Sequence, residues 1–295
     1  MQLVDKKHQL KLRYDRYMGY IFIASASCMA LIILAIIVFV GWQGLMTFSE
    51  VSPMDFFFSA KWDPTEGQYG ALSFITGSLA VTVLSILFGA PLGLAGAVFM
   101  AKIAPNWLGE IMRPATNLYV AIPSVVYGFI GLTIIVPFIR TYFHVSVGFG
   151  LLAAAIILAV MILPTIISIS EDAIRSVPQN LEEASLALGA TRWQTIWHVI
   201  LPAALPGILT AVILAMARAV GETMAVQMVI GNAPQLVTSL FMPTSTLPSE
   251  IVVEMGNTPY GSAWGNSLFL MALVLLLISL LMIVVMRHVA KRKVA

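Results

Sequence analysis

Residues 73–101 read SFITGSLAVTVLSILFGAPLGLAGAVFMA, a stretch without one charged side chain. A helix of about 20 residues crosses the roughly 30 Å hydrocarbon core of a bilayer, so this stretch is long enough to span a membrane. The whole chain of 295 residues is 59% hydrophobic and 10% charged, whereas soluble domains carry roughly 25% charged residues. A soluble globular protein is therefore excluded, and an all-α polytopic membrane protein is predicted.

Apolar runs of sufficient length occur at six places and predict six transmembrane helices. They cover residues 20–41, 73–101, 114–139, 147–170, 206–230 and 267–286. The predicted membrane domain runs over 20–286, with outer loops at about 43–72 and 231–265 and a cytoplasmic loop at about 171–205. An even number of crossings places both termini on the same side of the membrane.

The distribution of basic residues predicts which side that is. Lys and Arg number sixteen in all. The side of the termini carries Lys6, Lys7, Lys11, Arg13, Arg16, Lys102, Arg113, Arg175, Arg192, Arg287, Lys291, Arg292 and Lys293. The opposite side has Lys61 and Arg140, and Arg218 lies inside a span. The positive-inside rule then predicts that both termini are cytoplasmic.

The two ends of the chain have their own character. Residues 1–19 place Leu3, Leu10 and Tyr14 on one helical face and basic side chains around much of the rest. This pattern is typical of a short interfacial helix on the inner leaflet, and a solvated basic tail is an equally good interpretation. Residues 287–295 form a basic cytoplasmic tail.

The cytoplasmic loop 171–205 has the composition of ordered structure rather than of a linker. Pro178 suits a first helical turn, and Asn180 followed by Glu183 resembles a capping pair. Gly189 permits a left-handed turn at the end of this helix, and a second helical run over 193–199 precedes Pro202. A short amphipathic helix exposed in this way can be gripped in a groove of a partner protein.

These residues carry a family resemblance. Glu183-Ala184-Ser185, then Gly189, and Val199-Ile200-Leu201-Pro202 resemble the EAA motif of ABC-importer permeases. Ser185 stands where the family has a second Ala, and Val199 where it has Ile. The resemblance implies a type I importer permease fold and a coupling helix that docks on a separate ATPase. The residues then assigned to ATPase coupling are Glu182, Glu183, Ala184, Ser185, Gly189, Leu201 and Pro202.

The fifth predicted span contains two charges, Arg218 and Glu222. Their spacing of four places them on one face of a continuous helix, where they are expected to pair. Charges inside a membrane are costly and usually functional, although a structural salt bridge between helices remains an alternative. The planar guanidinium donates two parallel hydrogen bonds to an oxyanion such as phosphate, while Glu222 would cancel the resting charge.

A second resemblance is narrower. Residues 218–225, RAVGETMA, are similar to the fifth-span signature of phosphate-importer permeases, and the outer-loop groups 62–64, 69–70, 239–241, 246–247 and 254–256 are similar to the PstC type. The resemblance implies a phosphate pathway along Arg218, Glu222 and Thr223. It also implies a bacterial inner-membrane location, a sister permease PstA, two copies of the ATP-binding subunit PstB, and a phosphate-binding protein PstS.

Other activities find little support in the sequence. No Gly-x4-Gly-Lys-[Ser/Thr] motif occurs, so the chain is expected to be a transport subunit that binds no cofactor, while the partner ATPase uses ATP-Mg. The four His residues are dispersed, Cys28 is the single cysteine, and no basic stripe for nucleic acid is present. Two alternatives stay open: a permease for sulfate or molybdate, and an ion-coupled secondary transporter in which Arg218 and Glu222 form a relay. A purely structural scaffold is a weaker third.

Overall fold

The computed structural model describes the backbone of residues 2–259 and 261–294, and the side chains of these residues except 2–15, 106, 117 and 289–294. Helices form nearly all of its regular structure, in the order α1 (Gln2–Leu45), α2 (Pro53–Phe58), α3 (Leu72–Val98), α4 (Asn106–Val120), α5 (Ser124–Ile130), α6 (Val136–Tyr142), α7 (Leu151–Arg175), α8 (Gln179–Ala187), α9 (Arg192–Thr195), α10 (Leu201–Val220), α11 (Met224–Ile230), α12 (Leu247–Glu254) and α13 (Ala263–Val294). One small hairpin pairs β1 (Trp62–Asp63) with β2 (Gln68–Tyr69) in antiparallel register.

Within the described residues, six helical segments are long and apolar enough to cross a membrane. They cover Arg16–Ser49, Leu72–Ile103, Ser124–Tyr142, Leu151–Arg175, Arg192–Val220 and Ala263–His288. The predicted all-α, six-span fold is confirmed. Three of the spans contain or adjoin a π-turn, at Phe99–Ile103, Gly131–Ile135 and Ile196–Ile200.

The third span covers Ser124–Tyr142, so it begins within the predicted stretch 114–139 and ends three residues beyond it. Residues 106–120 form the separate helix α4, and the chain bends at 121–123 before α5. Pro123 explains the break, because proline has no N–H to donate and disfavours the helical conformation of the residue before it. The N–H groups of Ala121 and Ile122 instead close short turns onto Leu118 and Tyr119 carbonyls, at 3.1 and 3.3 Å.

The fifth span also differs from its prediction. The helical run after Gly189 continues from Arg192 through a π-turn into α10, so the predicted cytoplasmic helix and the span form one continuous helical segment. This segment ends at Val220, and α11 starts only at Met224. The predicted helix over 206–230 is therefore divided in two at residues 221–223.

The centre of the molecule is formed by α3, α7 and α10. Leu158, Ile162 and Ile166 of α7 are fully buried there. A Cβ atom at Gly93 of α3 would lie 2.8 Å from the Cβ of Ile166, so this glycine lets the second and fourth spans approach closely.

The N-terminal helix lies at the edge of this bundle. Its principal partner is α13, against which Phe39 packs edge-to-face on Phe269 with ring centroids 5.6 Å apart. Its helix is continuous from Gln2, but the side chains of 1–15 lie outside the described residues, so the interfacial face over 1–19 stays a prediction. The predicted basic tail begins on α13, and its side chains beyond residue 288 likewise lie outside the described part.

Candidate functional sites

The charged residues of the fifth span lie at its break. Arg218 is in the last turn of α10, where Gly221 ends the helix. Glu222 follows the end of the helix, and its Oε1 accepts a hydrogen bond from the Ala225 N–H at 3.2 Å. Arg218 and Glu222 form no ion pair among the described residues. The expected pair on one helical face is wrong, because the helix ends before it reaches Glu222.

Arg218 is half-buried, and no carboxylate among the described residues forms an ion pair with it. No carboxylate or carbonyl of the described residues accepts a hydrogen bond from its guanidinium. The Tyr127 hydroxyl on α5 donates to the Tyr119 carbonyl at 2.7 Å. A half-buried guanidinium without a protein acceptor retains its full capacity to bind an anion.

The break in the fifth span lies beside the break in the third. α5 and α11, which follow the two breaks, pack on each other, and a Cβ at Gly128 would lie 3.1 Å from the Ala225 Cα. Thr223 belongs to the same break and is half-buried. Irregular backbone within a membrane is tolerated where it is covered by protein or lines an aqueous cavity. The structure thus collects Arg218, Glu222 and Thr223 where two interrupted spans meet.

The loop 171–205 projects α8 from one end of the bundle. No residue of α8 is buried, and Leu188 at its end is 90% exposed. Gly189 has a φ of +84°, and a Cβ there would meet nothing within 4 Å. The predicted helix–glycine turn–helix arrangement is therefore present, and backbone conformation rather than space favours glycine at this position.

The caps in this loop differ from those predicted. α8 begins at Gln179 after Pro178 and has no side-chain cap, so Asn180 and Glu183 do not form the expected capping pair. Since α8 starts at Gln179, one residue before Asn180, Asn180 already lies inside its first turn and is not its N-cap. A capping box instead starts α9, where Thr191 and Gln194 bond each other's backbone reciprocally.

The residues assigned to ATPase coupling divide into three groups. Glu183 and Ala184 are exposed on α8. Ser185 faces α9, and its hydroxyl lies 3.0 Å from that of Thr195, while Glu182 pairs with Lys102 near the C-terminal end of the second span. Leu201 and Pro202 lie at the start of α10, where Leu201 is buried and Pro202 is exposed.

A second polar cluster on the opposite face had no clear signal in the sequence. Glu254 accepts hydrogen bonds from the indole N–H groups of Trp62 and Trp264, at 3.0 and 2.7 Å. One turn earlier, Glu250 is 4% exposed and accepts from the Ser245 hydroxyl at 2.8 Å. Burial raises the pKa of Glu250 to about 7 despite the hydrogen bond from Ser245, and the neighbouring Glu254 adds to the increase. Glu254 thus ties the β-hairpin to α12 and the start of α13.

No group of three or more His, Cys, Asp or Glu side chains suitable for a metal ion occurs among the described residues. Three candidate sites follow from this geometry: Arg218 at the adjoining breaks of the third and fifth spans, the exposed helix α8 at one end, and the carboxylate–indole cluster of Glu254 at the other.

Comparisons with known proteins agree with this arrangement. Residues 93–294 match the family model described as "Binding-protein-dependent transport system inner membrane component". The chain is 52% identical over 263 residues to a probable ABC transporter permease protein, YqgH, of Bacillus subtilis, covering 88% of this chain and 85% of the relative. It is 36% identical over 291 residues to the phosphate transport system permease protein PstC of Mesorhizobium japonicum, covering 91% and 88% of the two chains.

Solved structures show the same architecture. An inward-facing structure of the MetNI methionine ABC transporter superposes with a TM-score of 0.57 at 26% identity, covering 74% of this chain and 93% of that chain. A second crystal form of MetNI reaches a TM-score of 0.61 at 23% identity, covering 79% and 99%. The expected importer permease fold is confirmed.

Proposed function

The chain belongs to the family of binding-protein-dependent transport system inner membrane components, and we propose that it is the PstC-type permease subunit of an ATP-driven importer of inorganic phosphate. The observation that carries the proposal is the half-buried Arg218, which lies where the breaks of the third and fifth spans adjoin. Its guanidinium has no hydrogen-bond acceptor among the described residues. The names of the PstC relatives, each similar over most of this chain, support phosphate as the substrate.

The importer would be assembled from several subunits. A sister permease, PstA, completes the pathway, two copies of the ATP-binding subunit PstB bind on the cytoplasmic side, and the phosphate-binding protein PstS delivers the ion from outside. In this assembly the chain is a multi-pass protein of the bacterial inner membrane with both termini in the cytoplasm. It binds no cofactor of its own, and ATP-Mg is consumed by PstB.

The proposed cycle is alternating access. Closure of the ATPase dimer moves α8, the inner ends of the spans tilt with it, and the cavity opens towards PstS. Phosphate then passes Arg218, whose planar fork binds two of its oxygens. Glu222 and Thr223 stand at the same break, and the carboxylate limits how tightly the anion is held.

The geometry at the break weakens the relay alternative. A direct proton relay between Arg218 and Glu222 would need a hydrogen bond between the two side chains, whereas the hydrogen bond of Glu222 is to the Ala225 N–H. A permease for sulfate or molybdate would use the same arginine, so the substrate must be tested directly.

Phosphate uptake by the complete complex in proteoliposomes tests the proposal. Arg218→Gln is expected to reduce uptake to the background while the complex still assembles, because the fixed positive charge is lost. Arg218→Lys, which keeps the charge but not the fork, is expected to retain part of the uptake. Undiminished uptake by Arg218→Gln would remove Arg218 from the pathway, and wild-type uptake of sulfate or molybdate in place of phosphate would assign a different oxyanion.

A further inference from the structure

An ion-pair network joins four elements at the inner end of the bundle. Its members are Met100, Lys102, Arg113, Glu171, Arg175 and Glu182, which we call the inner clamp. They come from the π-turn after α3, from α4, from the last turns of α7 and from α8. The clamp connects the exposed helix α8 to the inner ends of the second and fourth spans.

Glu171 is the centre of the clamp. Its side chain is 4% exposed, and its Oε1 lies 2.8 Å from the Nε atoms of both Arg113 and Arg175. A buried carboxylate between two guanidinium groups is held strongly, since removing a partner leaves an uncompensated charge. This junction fastens α4 to the last turn of α7.

The π-turn at Phe99–Ile103 supplies the next connection. Ala104 donates its N–H to the Phe99 carbonyl at 2.7 Å, five residues back, instead of to the Met100 carbonyl as in an α-helix. The Met100 carbonyl is left free, and the Nη2 of Arg175 donates to it at 2.7 Å. The irregular turn therefore creates the acceptor through which the fourth span holds the end of the second.

Lys102 of the same π-turn makes the last connection. Its Nζ lies 2.5 Å from the Oε2 of Glu182 on α8, and the two side chains are 19% and 32% exposed. Glu182 is therefore turned towards the bundle, away from the exposed face on which Glu183 lies. Among the described residues, the other side-chain hydrogen bond of α8 joins the hydroxyl groups of Ser185 and Thr195.

We propose that the Lys102–Glu182 pair is a positioning link which makes the inner end of the second span move together with α8. This inference rests on the proposed function, in which α8 receives the movement of the ATPase. Glu182 is then a transmission residue inside the permease rather than a docking contact. Without the pair, α8 would follow the ATPase while the second span lags behind.

Transport stoichiometry in the complete complex tests the link. Lys102→Gln and Glu182→Gln are expected to lower the phosphate delivered per ATP hydrolysed by about two- to five-fold, the range that a partly exposed ion pair allows. The charge exchange Lys102→Glu with Glu182→Lys is expected to restore most of the ratio. Glu110→Gln is the matched control, because Glu110 is exposed on α4 beside the clamp and makes no ion pair among the described residues.

A distance measurement tests the link without using phosphate. Spin labels at Ile103 and Asn180, both exposed, are introduced after Cys28→Ser, and their separation is measured by pulsed electron paramagnetic resonance with and without ATP. The wild-type distance should stay constant, and Glu182→Gln should broaden or shift it on ATP binding.

Three results would overturn the link: an unchanged ratio in Glu182→Gln, a charge exchange that restores nothing, or loss of the ATPase from the Glu182→Gln complex. The last would make Glu182 a docking residue. If the wild-type complex carries no phosphate while the label distance behaves as expected, the proposed substrate fails and the link stands.

Discussion

Glu222 illustrates how the role of one residue depends on where its helix ends. Its carboxylate accepts the Ala225 N–H, a contact that satisfies one backbone donor at the start of α11. Glu222→Ala removes the acceptor and should lower the stability of the complex by about 1 kcal/mol, the usual effect of losing such a cap. Glu222→Gln keeps an acceptor oxygen and should leave the thermal midpoint near that of the wild type.

Transport separates the two roles assigned to Glu222. In Glu222→Gln the charge beside Arg218 is gone, so phosphate should be held longer and turnover should fall although stability is kept. Equal destabilisation by Glu222→Gln and Glu222→Ala, measured as thermal unfolding in detergent, would show that the negative charge matters more than the hydrogen bond.

Glu250 is expected to make stability depend on pH at the end of the molecule opposite α8. Its pKa is raised to about 7 in the folded chain, from a usual value of 4.5. Between these values the folded state retains a proton that the unfolded state has lost, so stability falls as the pH rises through this window and levels off above it. The slope is at most about 1.4 kcal/mol per pH unit.

Thermal unfolding at pH 5 and pH 7.5 measures this dependence. Glu250 should raise the unfolding temperature of the wild type at pH 5 relative to that at pH 7.5. In Glu250→Gln this difference between the two unfolding temperatures should be smaller. Glu66→Gln, on the turn between β1 and β2, is the control for replacing a carboxylate whose side chain is exposed. A profile in Glu250→Gln as steep as in the wild type would assign the effect to another group.

At the scale of elements, the close packing of α3 on α7 depends on glycine. A side chain at Gly93 would place its Cβ 2.6 Å from the Cγ2 of Ile166, well inside contact distance. Gly93→Val should therefore push the second and fourth spans apart and cost about 1–3 kcal/mol, the usual range for an overpacked core.

Gly19 offers a matched control for that substitution. It also lies within a helix, but a Cβ there would meet nothing within 4 Å. Gly19→Val should change the thermal midpoint in detergent far less than Gly93→Val. Similar shifts in both variants would mean that the helices tolerate the added volume at Gly93 and that the close approach is not required.

At the scale of the whole molecule, the charge distribution predicts how the bundle is oriented. Lys61 in the first outer loop and Asn180 on α8 are both exposed, and they stand on the two opposite sides that the positive-inside rule distinguishes. After Cys28→Ser, a cysteine at Lys61 should react with an impermeant maleimide added to right-side-out vesicles. A cysteine at Asn180 should react only after permeabilisation.

The reverse labelling pattern would place the termini outside and would separate α8 from any cytoplasmic ATPase. Reaction of both positions from one side would contradict six crossings. The experiment thus tests the orientation independently of transport.

Properties that add up along the chain were predictable from the sequence. Six apolar runs predicted six spans, because the free energy of burying a helix in lipid is a sum over its residues. The helix–glycine turn–helix of the loop 171–205 followed from Gly189 for a similarly local reason, since a positive φ suits glycine. The residues 218–225 and 183–202 also carried enough resemblance to indicate the family.

Properties that depend on where helices end and on what lies across the bundle required the tertiary structure. Apolar composition alone did not reveal the breaks at 121–123 and 221–223, because a run interrupted by Pro123 or Gly221 is as hydrophobic as an intact one. Because the helix breaks there, Glu222 accepts from the Ala225 N–H and forms no ion pair with Arg218. The pairs Glu171–Arg113, Glu182–Lys102 and Glu254–Trp62 are equally hidden, since each joins residues far apart in sequence that folding brings within about 3 Å.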